Sequence, residues 1–262
     1  MYDAQAQAKI FTSRGKPIHR RSGNGIRVEI LEHESLRWMR FGDTDVQSAM
    51  DLSLPWYPLA DYSRAMLAAL CLRPVPQRVL VLGLGGGSLE RFFAEKLPAV
   101  QVVSVEAHPV VTDLAFDYFD LPATTTIVEM SGQEYLEKIG EPQDLIFVDM
   151  FDANGHLPCL TQQAFHRQVA DNLTAEGMML VNAIATSEAE LLTLLLAIRP
   201  VFPYVLFSQE PASQNVVLLC SSQPLPPMAE AKQRAKELLP SLAIDFSPIL
   251  SACTALPKPE YP

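Results

Sequence analysis

The chain has 262 residues, with 20 Lys or Arg against 30 Asp or Glu, so its formal net charge is −10. A protein that binds nucleic acid generally is expected to be basic, so the negative net charge excludes this class. Hydrophobic residues make up 48% of the chain and charged residues 19%, which predicts a large core and excludes a disordered chain. No window reaches the roughly 18 consecutive apolar residues of a membrane helix, and residues 1–16 lack a signal-peptide run. We therefore expect a soluble, cytoplasmic protein with no membrane partner.

The excess of acidic residues lies in the middle of the chain. Residues 1–78 carry 11 basic and 8 acidic side chains, residues 79–227 carry 5 and 18, and residues 228–262 carry 4 and 4. An acidic middle segment attracts cationic substrates, although an acidic surface that favours solubility is the common alternative. The four cysteines are isolated and no histidine stands at metal-ligand spacing, so we expect reduced thiols and no metal.

The first segment predicts a small β structure followed by a helix. Residues 26–41 alternate apolar and polar side chains over two short runs, which is typical of an antiparallel hairpin. A polar stretch with Gln47 follows, and an apolar helix pattern covers about 61–72 before two prolines end it. We predict a small N-terminal β-hairpin domain with a linker helix over residues 1–73.

Beyond this segment, short apolar runs alternate with helical patterns. Five runs rich in Val, Ile, Leu and Met are predicted strands, at 79–83, 101–106, 125–130, 144–149 and 178–183. Strands that are apolar on both faces and separated by helices indicate right-handed βαβ units in a doubly wound parallel sheet.

The end of this core distinguishes two cofactor classes. Runs at 201–208 and 215–222 flank a short polar loop and predict a hairpin, so the last strand must be antiparallel to its neighbour. Five βα units closed by a hairpin are the seven-stranded plan of S-adenosylmethionine-dependent methyltransferases, not the all-parallel plan of dinucleotide dehydrogenases. We predict this Rossmann-like α/β fold over residues 74–224. Residues 225–262 are predicted to form a C-terminal helix and a poorly ordered, proline-rich tail.

A glycine loop and an acid predict a nucleoside site. The first core strand runs into Gly83-Leu84-Gly85-Gly86-Gly87-Ser88, where glycines allow a sharp turn and close approach to a ligand. Glu106 closes the second strand, 21 residues after Gly85, where a carboxylate accepts hydrogen bonds from both ribose hydroxyls. A structural glycine turn and a solvated strand-end acid are the alternatives, but order and spacing together favour nucleoside binding.

Two further strand ends carry candidate residues. Ser131 and Gly132 follow the third strand, where an adenine would lie, and Ser131 either bonds the base or caps the next helix. Asp149 and Asp152 follow the fourth strand, in the region where ligands of open α/β sheets bind. Such a pair can orient a cationic amine, and one carboxylate can accept its proton. A helix or loop N-cap is the structural alternative for Asp149.

A family resemblance is carried by four runs of the core, VLVLGLGGGSLERFF, VVSVEAHP, SGQEYL and DLIFVDMFDANGHLPCLTQQAFHRQVADNLTAEGMMLVN. In this order they resemble the spermidine synthase (polyamine aminopropyltransferase) family. The predicted hairpin, Gln47 and the helix with Tyr62 are similar to that family's small β domain and linker. The resemblance covers about residues 26–224.

The resemblance implies an aminopropyl transfer from decarboxylated S-adenosylmethionine to a polyamine or other small cationic amine, with release of methylthioadenosine. It also implies a homodimer. Asp149 would be the catalytic base and Asp152 would hold the amine. The nucleoside donor would be bound by Gly83, Gly85, Gly86, Gly87, Glu106, Ser131 and Gly132, with Gln47 at the sulfonium side.

Several positions depart from the family pattern. The family's glycine loop, G-G-G-D-G, has an acid for the donor's amine, where this chain reads LGGGS. Ser131 replaces an adenine-site Asp, and the pattern D-S-x-D-P has become Asp149-Met150-Phe151-Asp152-Ala153. These departures identify a divergent, spermidine-synthase-like protein. They leave as alternatives a methyltransferase that uses S-adenosylmethionine itself, or a catalytically degenerate dimeric homologue that binds a nucleoside.

Overall fold

The computed structural model describes residues 15–23, 25–42, 46–73, 75–138, 140–152, 155–209 and 215–258. These residues form a four-stranded sheet, an eight-stranded sheet and a two-stranded ribbon. Within the ranges given, no helix has the length and apolar character needed to cross a membrane. The predicted division of the chain after residues 73 and 224 stays a prediction.

The N-terminal sheet is larger than the predicted hairpin. Its strands are β1 (Lys16–Gly23), β2 (Ile26–His33), β3 (Leu36–Phe41) and β4 (Val46–Asp51), and neighbours pair antiparallel in chain order. The predicted hairpin at 26–41 is confirmed as β2 and β3, and the structure adds one strand on each side of it. The added strands lack an alternating apolar pattern: β1 is almost wholly exposed and polar, and pairing with β2 orders it.

The large sheet contains the predicted core strands. They are β5 (Arg78–Leu82), β6 (Gln101–Glu106), β7 (Thr126–Glu129), β8 (Gln143–Val148), β11 (Leu173–Ile184), β12 (Tyr204–Gln209), β13 (Asn215–Ser221) and the two-residue β14 (Thr254–Ala255). The strand order is β14-β12-β13-β11-β8-β5-β6-β7. The first five of these strands are mutually parallel, and β13 is antiparallel to both β11 and β12. The seven-stranded plan with a closing hairpin is confirmed, with β14 added at one edge.

Helices connect the strands and cover both faces of the large sheet. They are α1 (Asp61–Leu67), α2 (Ser88–Lys96), α3 (Pro109–Tyr118), α4 (Gly132–Leu136), α5 (Gln163–Asp171), α6 (Glu188–Ile198), α7 (Met228–Leu242) and α8 (Ser247–Ala252). Single 3-10 turns follow α1 at Ala68–Cys71 and precede α5 at Pro158–Thr161. A short ribbon, β9 (Phe151–Asp152) with β10 (Gly155–His156), lies between β8 and α5.

The central strands are buried on both faces, which explains their uninterrupted apolar sequences. Val79 and Val81 of β5 pack with one cluster that includes Phe147, while Leu80 and Leu82 pack with a second cluster on the opposite face. Successive side chains of a strand point to opposite faces, so a strand covered on both sides needs apolar residues throughout.

The C-terminal segment is ordered through residue 258, so the prediction of a poorly ordered tail was wrong for that part. Ala235, Phe246 and Leu250 are buried in the same cluster as Val79, and β14 pairs with β12. The proline content misled the prediction because Pro248 lies in the first turn of α8, where proline is tolerated. Residues 259–262 lie outside the described part of the chain.

A matched pair of leucine truncations tests this core. Leu218 on β13 is 0% exposed and Leu196 on α6 is 66% exposed. We expect Leu218→Ala to lower the free energy of unfolding by about 2–5 kcal/mol, because it leaves a cavity. The control Leu196→Ala should change it by less than about 0.5 kcal/mol. Urea unfolding measures both, and equal losses would contradict the described packing.

Candidate active site

The carboxyl ends of three adjacent parallel strands bring the principal predicted residues to one edge of the sheet. Glu106 is the last residue of β6, and Gly83 and Asp149 directly follow β5 and β8. The Gly83 N–H donates to the Val105 carbonyl (2.8 Å), and the Asp149 N–H donates to the Leu82 carbonyl (2.9 Å). The predicted glycine turn, ribose acid and base therefore lie side by side, as strand order requires.

The turn after β5 needs glycine for steric reasons. Gly83, Gly85 and Gly87 have φ angles of +96°, +53° and +73°, in the region that residues with a side chain rarely adopt. A Cβ atom on Gly83 would lie 2.1 Å from the carbonyl oxygen of Asp149. The backbones of the turn and of the base are thus in direct contact, and a side chain at Gly83 would force them apart.

The peptide of Gly86 is held from both sides. Its N–H donates to Ser48 Oγ on β4 at 2.7 Å, and its carbonyl accepts a hydrogen bond from the Arg91 guanidinium. Arg91 also donates to the carbonyls of Phe119 (2.8 Å) and Pro55 (2.6 Å). Burial lowers the pKa of Arg91 to about 10, so it stays cationic near neutral pH. The N-terminal sheet and the linker therefore hold the glycine loop directly.

Ser48 and Arg91 were missed by the sequence analysis. Arg91 had one available signal, its position with Glu90 between the apolar residues Leu89 and Phe92, and all four side chains are buried. Gln47, which was predicted at the site, precedes Ser48, and its carbonyl oxygen lies 3.9 Å from where a Cβ of Gly85 would be. Its position beside the loop agrees with the prediction, while its role at a sulfonium stays a prediction.

Glu106 is fixed by two backbone amides. It is 8% exposed, and its carboxylate accepts hydrogen bonds from the N–H groups of His108 (2.9 Å) and Leu84 (3.2 Å). Burial raises the pKa of Glu106, and these hydrogen bonds oppose the rise. Each carboxylate oxygen has two lone pairs, so acceptor capacity remains for a ligand with two hydroxyls.

Asp149 lies among hydrogen-bond donors. Its Oδ1 accepts from Asn182 Nδ2 at 2.8 Å, and the Tyr62 hydroxyl of α1 is also hydrogen-bonded to the carboxylate. Burial raises the pKa of Asp149 to about 6, against these two hydrogen bonds, which lower it. Burial and the charge of Asp149 raise the pKa of Tyr62, so its hydroxyl stays protonated and donates. The Asp149 carboxylate is therefore ionised at neutral pH. It takes up a proton as the pH falls through about 6.

Ser131 takes the capping role that the sequence left open. Its Oγ accepts from the Glu134 N–H at 3.2 Å, and Glu134 reaches back to the Ser131 N–H at 3.4 Å, which completes a capping box for α4. A Cβ on Gly132 would lie 2.8 Å from the sulfur of Met150, so this glycine packs against the residue after Asp149. Contact of Ser131 and Gly132 with an adenine stays a prediction.

Asp152 falls in the ribbon beyond β8. Its backbone pairs with Gly155 across β9 and β10, but its side chain lies outside the described part of the structure. The same is true of the His156 side chain. The prediction that Asp152 holds an amine substrate therefore stays a prediction.

The antiparallel β13 and the strand-end site together define the class, a seven-stranded α/β fold of the S-adenosylmethionine-dependent methyltransferase type. No protein-family model matches the chain. In sequence it is similar to the polyamine aminopropyltransferase of Chromobacterium violaceum, with 35% identity over 158 residues. That match covers 59% of this chain and 60% of the length of the relative.

Solved structures show the same fold. A probable spermidine synthase from Corynebacterium glutamicum has a TM-score of 0.74 at 18% identity, covering 93% of this chain and 92% of that one. Human methyltransferase-like protein 13, in complex with SAH, has a TM-score of 0.65 at 24% identity, covering 71% and 93%. The expected fold and the sequence resemblance to polyamine aminopropyltransferases are confirmed.

The raised pKa of Asp149 predicts a specific pH dependence of stability. Its value of about 6 exceeds the ordinary 3.8, so the folded state holds this proton more tightly than the unfolded state does. The group's contribution to stability is present below about pH 4 and is lost as pH rises through 6. Between pH 4.5 and 7.5, wild type should lose about 2 kcal/mol more unfolding free energy than Asp149→Asn. Urea unfolding across this range measures the difference, and parallel curves would contradict it.

Proposed function

We propose that this protein transfers an aminopropyl group from decarboxylated S-adenosylmethionine to a polyamine or another small cationic amine. The observation that carries the proposal is the Asp149 carboxylate, ionised near neutral pH and placed beside the glycine turn and Glu106. The similarity to a polyamine aminopropyltransferase over 158 residues supports the same reaction. A cytoplasmic location and a homodimer are part of the proposal.

In this proposal each strand end has a separate task. Glu106 accepts hydrogen bonds from the two ribose hydroxyls of the donor, and the bare backbone of Gly83 to Gly87 approaches the nucleoside closely. Ser131 and Gly132 border the adenine, and Gln47 faces the sulfonium. Asp152 holds the distal ammonium of the amine substrate.

Asp149 makes the amine nucleophilic. A primary amine arrives as an ammonium ion with no free lone pair, and Asp149 accepts one of its protons. The freed lone pair attacks the aminopropyl carbon bound to sulfur, the new C–N bond forms, and the C–S bond breaks. The bond's electrons leave with sulfur, so neutral methylthioadenosine is the second product and the charge of the sulfonium is passed to the new ammonium.

The charge distribution favours a cationic acceptor. Residues 79–227, which contain the strand-end site, carry 18 acidic side chains against 5 basic ones. A cleft within such a segment concentrates polycations and accelerates their association at low ionic strength.

A transfer assay tests the proposed reaction. With decarboxylated S-adenosylmethionine and a panel of diamines that includes putrescine, we expect methylthioadenosine release measured by chromatography. Asp149→Asn should slow release by about 10²- to 10⁴-fold, because the proton acceptor is lost. The wild-type rate should rise with pH through about 6, since the carboxylate must be ionised.

The matched control is Asp171→Asn, which removes an exposed carboxylate at the end of α5 and should leave the rate unchanged. Absence of product with every amine of the panel would refute aminopropyl transfer. Full activity of Asp149→Asn would refute its role as base.

A methyltransferase using S-adenosylmethionine is the second candidate, and the glycine loop favours it. Gly86 is followed by Gly87 and Ser88, so this loop offers no carboxylate to an aminopropyl ammonium. Against it, Asp149 is an anion at the same edge of the sheet and repels the additional carboxylate of the undecarboxylated donor.

Calorimetric titration distinguishes the two donors. We expect decarboxylated S-adenosylmethionine to bind about tenfold more tightly than S-adenosylmethionine, because only the latter places a carboxylate near Asp149. Methylthioadenosine, which lacks the aminopropyl chain and the carboxylate, serves as the control for binding of the nucleoside alone. Tighter binding of the carboxylated donor would support the methyltransferase, and binding of methylthioadenosine without turnover of either donor would support the degenerate, nucleoside-binding homologue.

A further inference from the structure

Two asparagine side chains extend the hydrogen bonding of Asp149 into the closing hairpin of the sheet. Asn182 lies on β11, is 1% exposed, and donates from Nδ2 to Asp149 Oδ1 at 2.8 Å. Asn215, the first residue of β13, donates from its own Nδ2 to Asn182 Oδ1 at 2.9 Å. A continuous chain of hydrogen bonds therefore runs from the antiparallel strand to the strand-end carboxylate.

The direction of this chain is set by chemistry. An ionised carboxylate only accepts hydrogen bonds, so Asn182 must present its NH2 group to Asp149. Its carbonyl oxygen then faces Asn215, which satisfies it with an NH2 group. The reversed amide would place two acceptors face to face at a buried position, where water cannot compensate. Asp149 thus sets the amide orientation of Asn182, and the hydrogen bond from Asn215 stabilises that orientation.

We propose that Asn182 and Asn215 are positioning residues that fix the orientation of the Asp149 carboxylate for proton acceptance. This role rests on the proposed function, in which Asp149 is the base. Asn182 touches Asp149 directly, and Asn215 acts through Asn182. We call the hydrogen-bond chain from Asn215 through Asn182 to Asp149 the asparagine relay; it carries no proton. Through this relay the hairpin formed by β12 and β13 contributes to catalysis, although neither asparagine needs to touch a substrate.

The titratable neighbours of Asp149 define the background for a pH test. Among the described side chains, Tyr62 on α1 is hydrogen-bonded to Asp149, and Glu90 on α2 interacts with it electrostatically. Glu90 is buried and accepts a hydrogen bond from Ser104, and burial raises the pKa of Glu90 to about 7. Because Glu90 titrates in the same pH range as Asp149, the test must resolve the two residues.

Nuclear magnetic resonance of the full chain carrying carboxyl-¹³C aspartate gives that resolution. Glu90 is then unlabelled, and the Asp149 signal is identified by its loss in Asp149→Asn. Asn182→Ala and Asn215→Ala should raise the midpoint of this titration, the first by about one pH unit, about tenfold in proton affinity. The smaller rise for Asn215→Ala reflects partial reversal of the Asn182 amide.

Asn215→Asp provides a stronger test. The new carboxylate only accepts hydrogen bonds, so it draws the NH2 group of Asn182 away from Asp149 and adds negative charge. The titration midpoint of Asp149 should rise more in Asn215→Asp than in Asn215→Ala. The acidic limb of the pH–rate profile should move by the same amount. Because Asn215 is only half-buried, its variants test the relay even where Asn182→Ala fails to fold.

The control is Cys220→Ala, which truncates a buried side chain on the same strand and should leave the Asp149 midpoint unchanged. Unchanged midpoints in both Asn215 variants would overturn the relay, as would an equal rise in Cys220→Ala. The titration needs no turnover, so failure of the transfer assay refutes the proposed function separately from the relay.

Discussion

The buried guanidinium of Arg91 is the interaction on which the site geometry depends. It joins the glycine loop at Gly86, the linker at Pro55 and the end of α3 at Phe119 through three backbone carbonyls. A buried cation is costly unless its donors are satisfied, and the fork of a guanidinium can serve several carbonyls at once. The bond to Pro55 ties the segment after β4 to the core, and Ser48 on β4 accepts the hydrogen bond of the Gly86 N–H. The glycine loop and the N-terminal sheet are thus joined by one set of hydrogen bonds.

The strand topology places the remaining groups. Parallel strands deliver Gly83, Glu106 and Asp149 to one edge, because each follows or ends a strand in the centre of the sheet. The antiparallel β13 reverses direction, so its first residue, Asn215, arrives at the edge where the parallel strands end. A closing hairpin therefore supplies a polar side chain to the edge that carries Asp149 from a segment far away in sequence. In an all-parallel sheet, the beginning of a strand lies at the opposite edge.

Pattern strength explains which elements were predictable. The central strands β5 and β8 are largely apolar because both of their faces are covered, and each of the five predicted runs overlaps an observed strand. The outer strands of the N-terminal sheet escaped prediction because β1 is exposed and polar and its order comes from pairing with β2. The predicted C-terminal helix is α7, but the order of the residues after it escaped prediction because the prolines suggested disorder, whereas Phe246 and Leu250 are buried in the core cluster.

The sequence by itself determined the class of fold, the glycine turn, the acid at the end of β6 and the acid after β8. These features follow from short-range patterns, because consecutive residues determine where strands end and turns form. Only the tertiary structure decided how those groups are held. Ser48, Arg91, Asn182 and Asn215 act through contacts between segments 28 or more residues apart, except for the local Arg91–Gly86 bond. The pKa of Asp149, about 6, likewise comes from burial and from neighbours on other elements, which no local pattern encodes.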